Sequence, residues 1–199
     1  MKNSRKRITA IIVCIVAVVA IVAGSLAWYT TTNSLSGFGN LVGFKTTAQV
    51  YFDTHNGTKA ASPDKDGLYT LSLDSNDDNY IGNLRLNVIH KGYGKSYVRV
   101  KMNVQWTMPD GTVTQNVILP YKFANDWYDN RGEDYCVYYT KSSGLFDSYD
   151  KSIITGFDAD AFDDETLTVS ATAKVSITVE SVQANRYSQI WQIDSLPWE

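Results

Sequence analysis

Val98-Arg99-Val100-Lys101-Met102-Asn103-Val104-Gln105-Trp106-Thr107 alternates apolar and polar residues without a break. Successive side chains of a strand point to opposite faces. This period of two therefore predicts a strand with Val98, Val100, Met102, Val104 and Trp106 inside and Arg99, Lys101 and Asn103 outside. Met108-Pro109-Asp110-Gly111 follows with turn chemistry, proline presetting one dihedral and glycine accepting a positive φ. Val113, Val117 and Leu119 then resume the alternation, which predicts a hairpin.

The same period recurs on both sides of this hairpin. Ala48, Val50 and Phe52 form one alternating set, Tyr69, Leu71 and Leu73 a second, and Leu84, Leu86 and Val88 a third. From Leu167 to Val179 the alternation runs longer than one ordinary strand, which predicts a bulge, a bend or a strand shared between two sheets. Thr54 to Gly67 reads as a polar loop, and Lys122 to Asp134 holds Trp127 and Tyr128 among polar residues outside the alternation. Ala184, Tyr187, Ile190 and Trp191 fall at helical spacing and predict a short terminal helix. Short strands joined by Gly, Asp and Asn turns give an all-β fold. The expectation is an antiparallel β-sandwich of jelly-roll type over residues 45–199, preceded by an N-terminal apolar signal or transmembrane helix.

That N-terminal segment sets the compartment. Lys2, Arg5, Lys6 and Arg7 precede an apolar stretch from Ile8 to Gly24, and no carboxylate occurs before Asp53. A basic region followed by an apolar one is the pattern of an export signal. Ser25 and Ala27 put small side chains three residues and one residue before a cut, so residues 1–27 read as a signal peptide with Trp28 as the new N-terminus. If uncleaved, the segment is long enough to anchor the chain in a bilayer. Either way the positive-inside rule keeps the basic end in the cytoplasm and places the domain outside. The expected location is secreted or cell-surface, with membrane contact only through residues 8–28 before cleavage. Residues 28–44 read as a flexible N-terminal arm.

Removing four of the 18 basic residues and none of the 21 acidic ones leaves the mature chain with a net charge of −7. Such a surface repels phosphate backbones, so nucleic acid is not an expected partner. Cys14 belongs to the signal, which leaves Cys136 alone and unable to form an internal disulfide. The fold must rest on its core.

Chemistry is sparse. The only histidines, His55 and His90, lie in no ligand-like cluster, and His90 continues the register of Leu84, Leu86 and Val88 as a strand-end residue. There is no His-Glu-x-x-His, no phosphate loop and no nucleophile elbow. No catalytic residue and no metal site is assigned, and the chain does not read as an enzyme. No cofactor is expected; calcium alone has candidate ligands, in Asp74-Ser75-Asn76-Asp77-Asp78-Asn79 and in Asp158 to Glu165. The first of these departs from an EF-hand at Asn79, where the turn glycine belongs, and at Arg85, the closing position. Tyr135, Tyr138, Tyr139, Trp127 and Tyr128 form an aromatic group of the kind that either stacks on sugars or covers strands.

Ala23-Gly24-Ser25-Leu26-Ala27-Trp28-Tyr29-Thr30 resembles the junction of precursors cut by the SipW-type signal peptidase of Gram-positive bacteria. Val175 to Ala184 with Trp191 beyond it is similar to the closing strand of TasA and camelysin-like proteins, and Tyr135-Cys136-Val137-Tyr138-Tyr139 followed by Leu145-Phe146 is similar to a Tyr-rich strand and loop of that group. The resemblance implies a jelly-roll subunit of a biofilm-matrix or surface fibre, with a signal peptidase and then itself or related matrix subunits as partners. It also implies assembly by donation of an N-terminal strand, in which Phe38, Leu41 and Phe44 of the arm would fill a neighbour's apolar pockets. Camelysin's metallopeptidase classification is not carried over, since no residue here matches a metal site. The alternatives from other classes are a glycan-binding surface adhesin and a divergent secreted hydrolase.

Overall fold

The computed structural model describes residues 45–91, 94–142, 152–162 and 171–199; the N-terminal apolar segment and the arm lie outside them. The strands in chain order are β1 (Lys45–Thr54), β2 (Gly57–Ala60), β3 (Leu68–Leu71), β4 (Leu84–Lys91), β5 (Ser96–Thr107), β6 (Val113–Gln115), β7 (Tyr121–Phe123), β8 (Trp127–Asn130), β9 (Cys136–Tyr139), β10 (Ile154–Phe157) and β11 (Thr172–Gln183). Two short helices accompany them, α1 (Arg131–Asp134) and α2 (Tyr187–Trp191). Every ladder between these strands is antiparallel. One sheet has the order β2-β1-β4; the larger one runs β3-β11-β5-β9-β8 with β6 also paired to β5; β7 and β10 form a two-stranded pair.

Alternation decides which faces meet. Val98, Val100, Met102, Val104 and Trp106 of β5 are buried, and across from them stand Ser181, Val179, Ile177, Val175 and Ala173 of β11. Val50 and Phe52 of β1 and Leu84, Leu86 and Val88 of β4 close the core from the smaller sheet. The mostly β, sandwich-like stack expected from sequence is therefore present.

Several details differ from the sequence expectation. Over Thr172–Gln183 β11 pairs with β5 through twelve consecutive residue pairs with no register shift, so neither a bulge nor a change of sheet occurs there; β5 is equally long and supports it throughout. The polar loop from Thr54 to Gly67 contains β2, whose four residues are all exposed and which is held by backbone pairing to Tyr51–Thr54. Gly57, at φ +109°, permits the turn between β1 and β2. Lys122 to Asp134, outside the alternation, contributes to β7, β8 and α1. The terminal helix is present and short, confined to Tyr187–Trp191.

The chain after β11 straps the outer face of the larger sheet. Trp191 packs on Tyr138 at 5.7 Å, Trp198 on Tyr97 at 5.8 Å, and Cys136 and Val182 complete this second small core. Arg99 lies beneath the strap, 2.7 Å from Glu180 and 4.7 Å from the Trp191 ring centroid, and it donates to the Tyr138 hydroxyl at 3.3 Å. The strap covers Cys136, and burial pushes its thiol up to about 11. A thiolate is the reactive form. Cys136 should therefore react with an alkylating reagent at pH 8 at least about 100-fold more slowly in the native protein than in denaturant, as followed by mass shift.

Candidate functional site

The two long sides of the sandwich are closed differently. Beside β4 the side is covered around Leu86 and Asn87: Ile153 N–H donates to Leu86 C=O at 2.7 Å, Ser152 bridges Asn87, and Leu119, Ile153 and Ile154 are fully buried. On the opposite side β2 reaches only Tyr51 of β1, with Ala61 N–H bonding Val50 C=O at 3.0 Å, and β3 reaches only Ser176 of β11. Past those limits no described residue pairs with β1 at Thr46 and Ala48, or with β11 from Ile177 to Gln183, on that side.

Hydrogen-bond alternation fixes which backbone groups point outward. Val117 N–H donates to Val104 C=O on the side of β5 away from β11, so Val104 and the facing Val175 direct their groups away from each other. Ile177, Val179 and Ser181 then follow Val175 and point theirs into the gap. By the same rule Leu86, bonded outward to Ile153, sets Val50, Ala48 and Thr46 toward the gap from β1. Ala48 and Ile177 occupy inward positions yet remain only partly buried, the mark of a missing neighbour. Where β2 ends, a recess of about 690 Å³ lies against Ala48, Ala61 and Tyr69 on its apolar side and Gln49, Thr58 and Asn87 on its polar side. The result is a slot between two strand edges that no described residue pairs, with Ala48 and Ile177 on its floor.

Below the slot the core turns polar. His90 sits between Thr46 Oγ1 at 2.7 Å from Nδ1 and Ser96 Oγ at 2.7 Å from Nε2, and Thr46 donates to Ser181 Oγ at 2.8 Å. All four residues are buried. His90 is thus a strand-end residue as the register predicts, linking both sheets.

Ser25, Ala27 and Trp28 of the cleavage junction, and Phe38, Leu41 and Phe44 of the arm, lie outside the described residues. In the 74–79 loop Asp74 accepts from the Asn76 N–H at 2.9 Å, Asp77 accepts from the Ser72 hydroxyl, and Asp78 pairs with Lys59 at 3.0 Å. Lys122, 3.1 Å away, and the Ala161 N–H hold the Asp158 carboxyl below its ordinary range. Of the aromatic group, Trp127, Tyr138 and Tyr139 are core residues, and Tyr128 is the one aromatic exposed beyond a third among the described residues. The sequence search missed the slot, whose only local signal is the shortness of β2 and β3. Compared with family models, curated proteins and solved structures, the chain matches none.

Proposed function

We propose that this chain is an exported structural subunit of the cell surface or extracellular matrix, a TasA/camelysin-like protein of jelly-roll type that assembles by strand donation. The observation that carries the reading is the slot: two sheet edges with outward-pointing backbone groups flank a partly buried apolar floor. Such an edge takes an added strand through main-chain hydrogen bonds, with alternate side chains filling the core side. The arm from Trp28 to Phe44 supplies an occupant of suitable length, in which Phe38 and Phe44 share one strand face and Leu41 lies on the other. Its 17 residues span up to about 56 Å when extended, against about 23 Å for the open stretch of β11. It joins β1 directly at Lys45, so reaching its own slot would need an immediate reversal, whereas a neighbour's slot needs none.

The test compares the mature chain from Trp28 with the same chain carrying Phe38→Asp, Leu41→Asp and Phe44→Asp. The parent is expected to form fibres by electron microscopy, and the triple variant to melt at the same temperature yet remain monomeric and bind a synthetic 28–44 peptide. A parent that stays monomeric across concentration, pH and salt, or a triple variant that polymerises like the parent, refutes strand donation.

A further inference from the structure

Among the described residues, charge is divided between the two ends of the sandwich. Lys45 and Lys91 face each other at the start of β1, and Lys95 adjoins Ser96, which pairs with Gln183; the Thr46 to Ser181 hydrogen bond brings these strand ends together. All three lysines are exposed, and none has an ion-pair partner among the described residues. Of the acids near this end, Asp126 is held by Lys141 at 2.7 Å and Glu199 lies toward Tyr97 on the strap side. The opposite end carries Asp77 and Asp78 in the loop after β3, Asp110 in the turn after β5, and Asp160 after β10, all exposed. Tyr80 packing on Phe157 brings the first and last of these loops together. Lys59 neutralises Asp78, and Lys122 neutralises the nearby Asp158, which leaves Asp74, Asp77, Asp110 and Asp160 without an ion pair among the described residues.

We propose that the lysine end of one copy docks on the aspartate end of the next, giving a polar head-to-tail contact between copies of this chain. The mature protein's net charge of −7 opposes random association of copies. A local contact of opposite charge offsets that repulsion in one orientation only, which is how surface charge sets register and direction. The partner, a second copy, is the one on which the strand-donation reading rests, and the geometry suits both. With the lysine end of a donor on the aspartate end of an acceptor, the arm leaves Lys45 at the junction. It then passes the half closed by β2 and β3 and reaches the slot, a path of roughly the 33 Å length of ten-residue β1.

Charge exchange tests this in the full mature chain. The variants Lys45→Glu/Lys91→Glu/Lys95→Glu and Asp77→Lys/Asp110→Lys/Asp160→Lys are compared by sedimentation velocity at about 20 mM and about 500 mM salt, alone and mixed. Each alone is expected to associate about ten-fold more weakly than the parent at low salt, the scale of three exposed ion pairs. Their equimolar mixture should recover the parent's association, and high salt should remove the difference. Undiminished association of either variant alone, or a mixture no stronger than its components, overturns the contact. The arm variant Phe38→Asp/Leu41→Asp/Phe44→Asp separates the two readings. If strand donation is wrong, its fibres persist, whatever the charge variants do; if the end-to-end contact is wrong, charge exchange has no effect, whatever the arm does.

Discussion

Trp106→Ala should lower the stability of the domain by about 3–5 kcal/mol, whereas Lys101→Ala, five residues away on the same strand, should cost roughly 0.5 kcal/mol or less. Trp106 is 2% exposed, faces Ala173 on β11 and belongs to the central core shared by both sheets. Opposite it, alanine offers no bulk able to move into the void, so the cavity term adds to the lost transfer energy. Lys101 lies on the outer face and has no ion pair among the described residues. In a domain of this size the tryptophan change should lower the melting temperature by roughly 10 °C. Equal shifts for the two variants by calorimetry would place the strand in the wrong register.

The second large effect is expected at Arg131, which is 4% exposed. Its guanidinium grips both carboxylate oxygens of Asp129 at 2.8 Å, donates to Leu119 C=O at 2.8 Å and lies 4.6 Å from the Phe123 ring centroid. One side chain thus fixes β8, the segment ahead of β7 and α1 together. Arg131→Ala removes all three interactions and leaves the Leu119 carbonyl buried without this donor. The expected loss is about 2–4 kcal/mol, below the full value for a buried pair because Asp129 remains partly solvated. Arg131→Lys should recover less than half of it, since an ammonium cannot form the two-pronged contact and reach the carbonyl as well. Chemical denaturation of the three proteins checks the order; a lysine variant as stable as the parent would reduce Arg131 to a simple charge.

The contrast between these two residues marks what a sequence makes readable. Trp106 stands in an alternating run because β5 has one inner and one outer face, and period two records that difference. β1 and β4 were readable for the same reason, through Ala48, Val50 and Phe52 and through Leu84, Leu86 and Val88. Arg131 has no such signature, because its partners Leu119 and Phe123 are brought to it by tertiary packing. In β9, Cys136, Val137, Tyr138 and Tyr139 are all buried, since the strap covers the face that would otherwise be wet. A strand covered twice loses its period, so it reads as an aromatic cluster. β2 has the opposite problem: with all four residues exposed it carries no apolar signal at all. The slot depends on where β2 and β3 stop relative to β1 and β11, a comparison between strands far apart in the chain.

The way β1 is held has a mechanical consequence. Tension on the chain ahead of Lys45 acts along the strand axis, while the hydrogen bonds of the eight-pair ladder from Lys45↔Lys91 to Phe52↔Leu84 run across it. Load in that direction shears the bonds together instead of unzipping them singly. The buried Thr46–His90 and Thr46–Ser181 links clamp the loaded end to β4 and to the opposite sheet. Resistance to forced unfolding is governed by the rate of crossing the unfolding barrier, so a domain of ordinary equilibrium stability can bear traction at this point out of proportion to that stability.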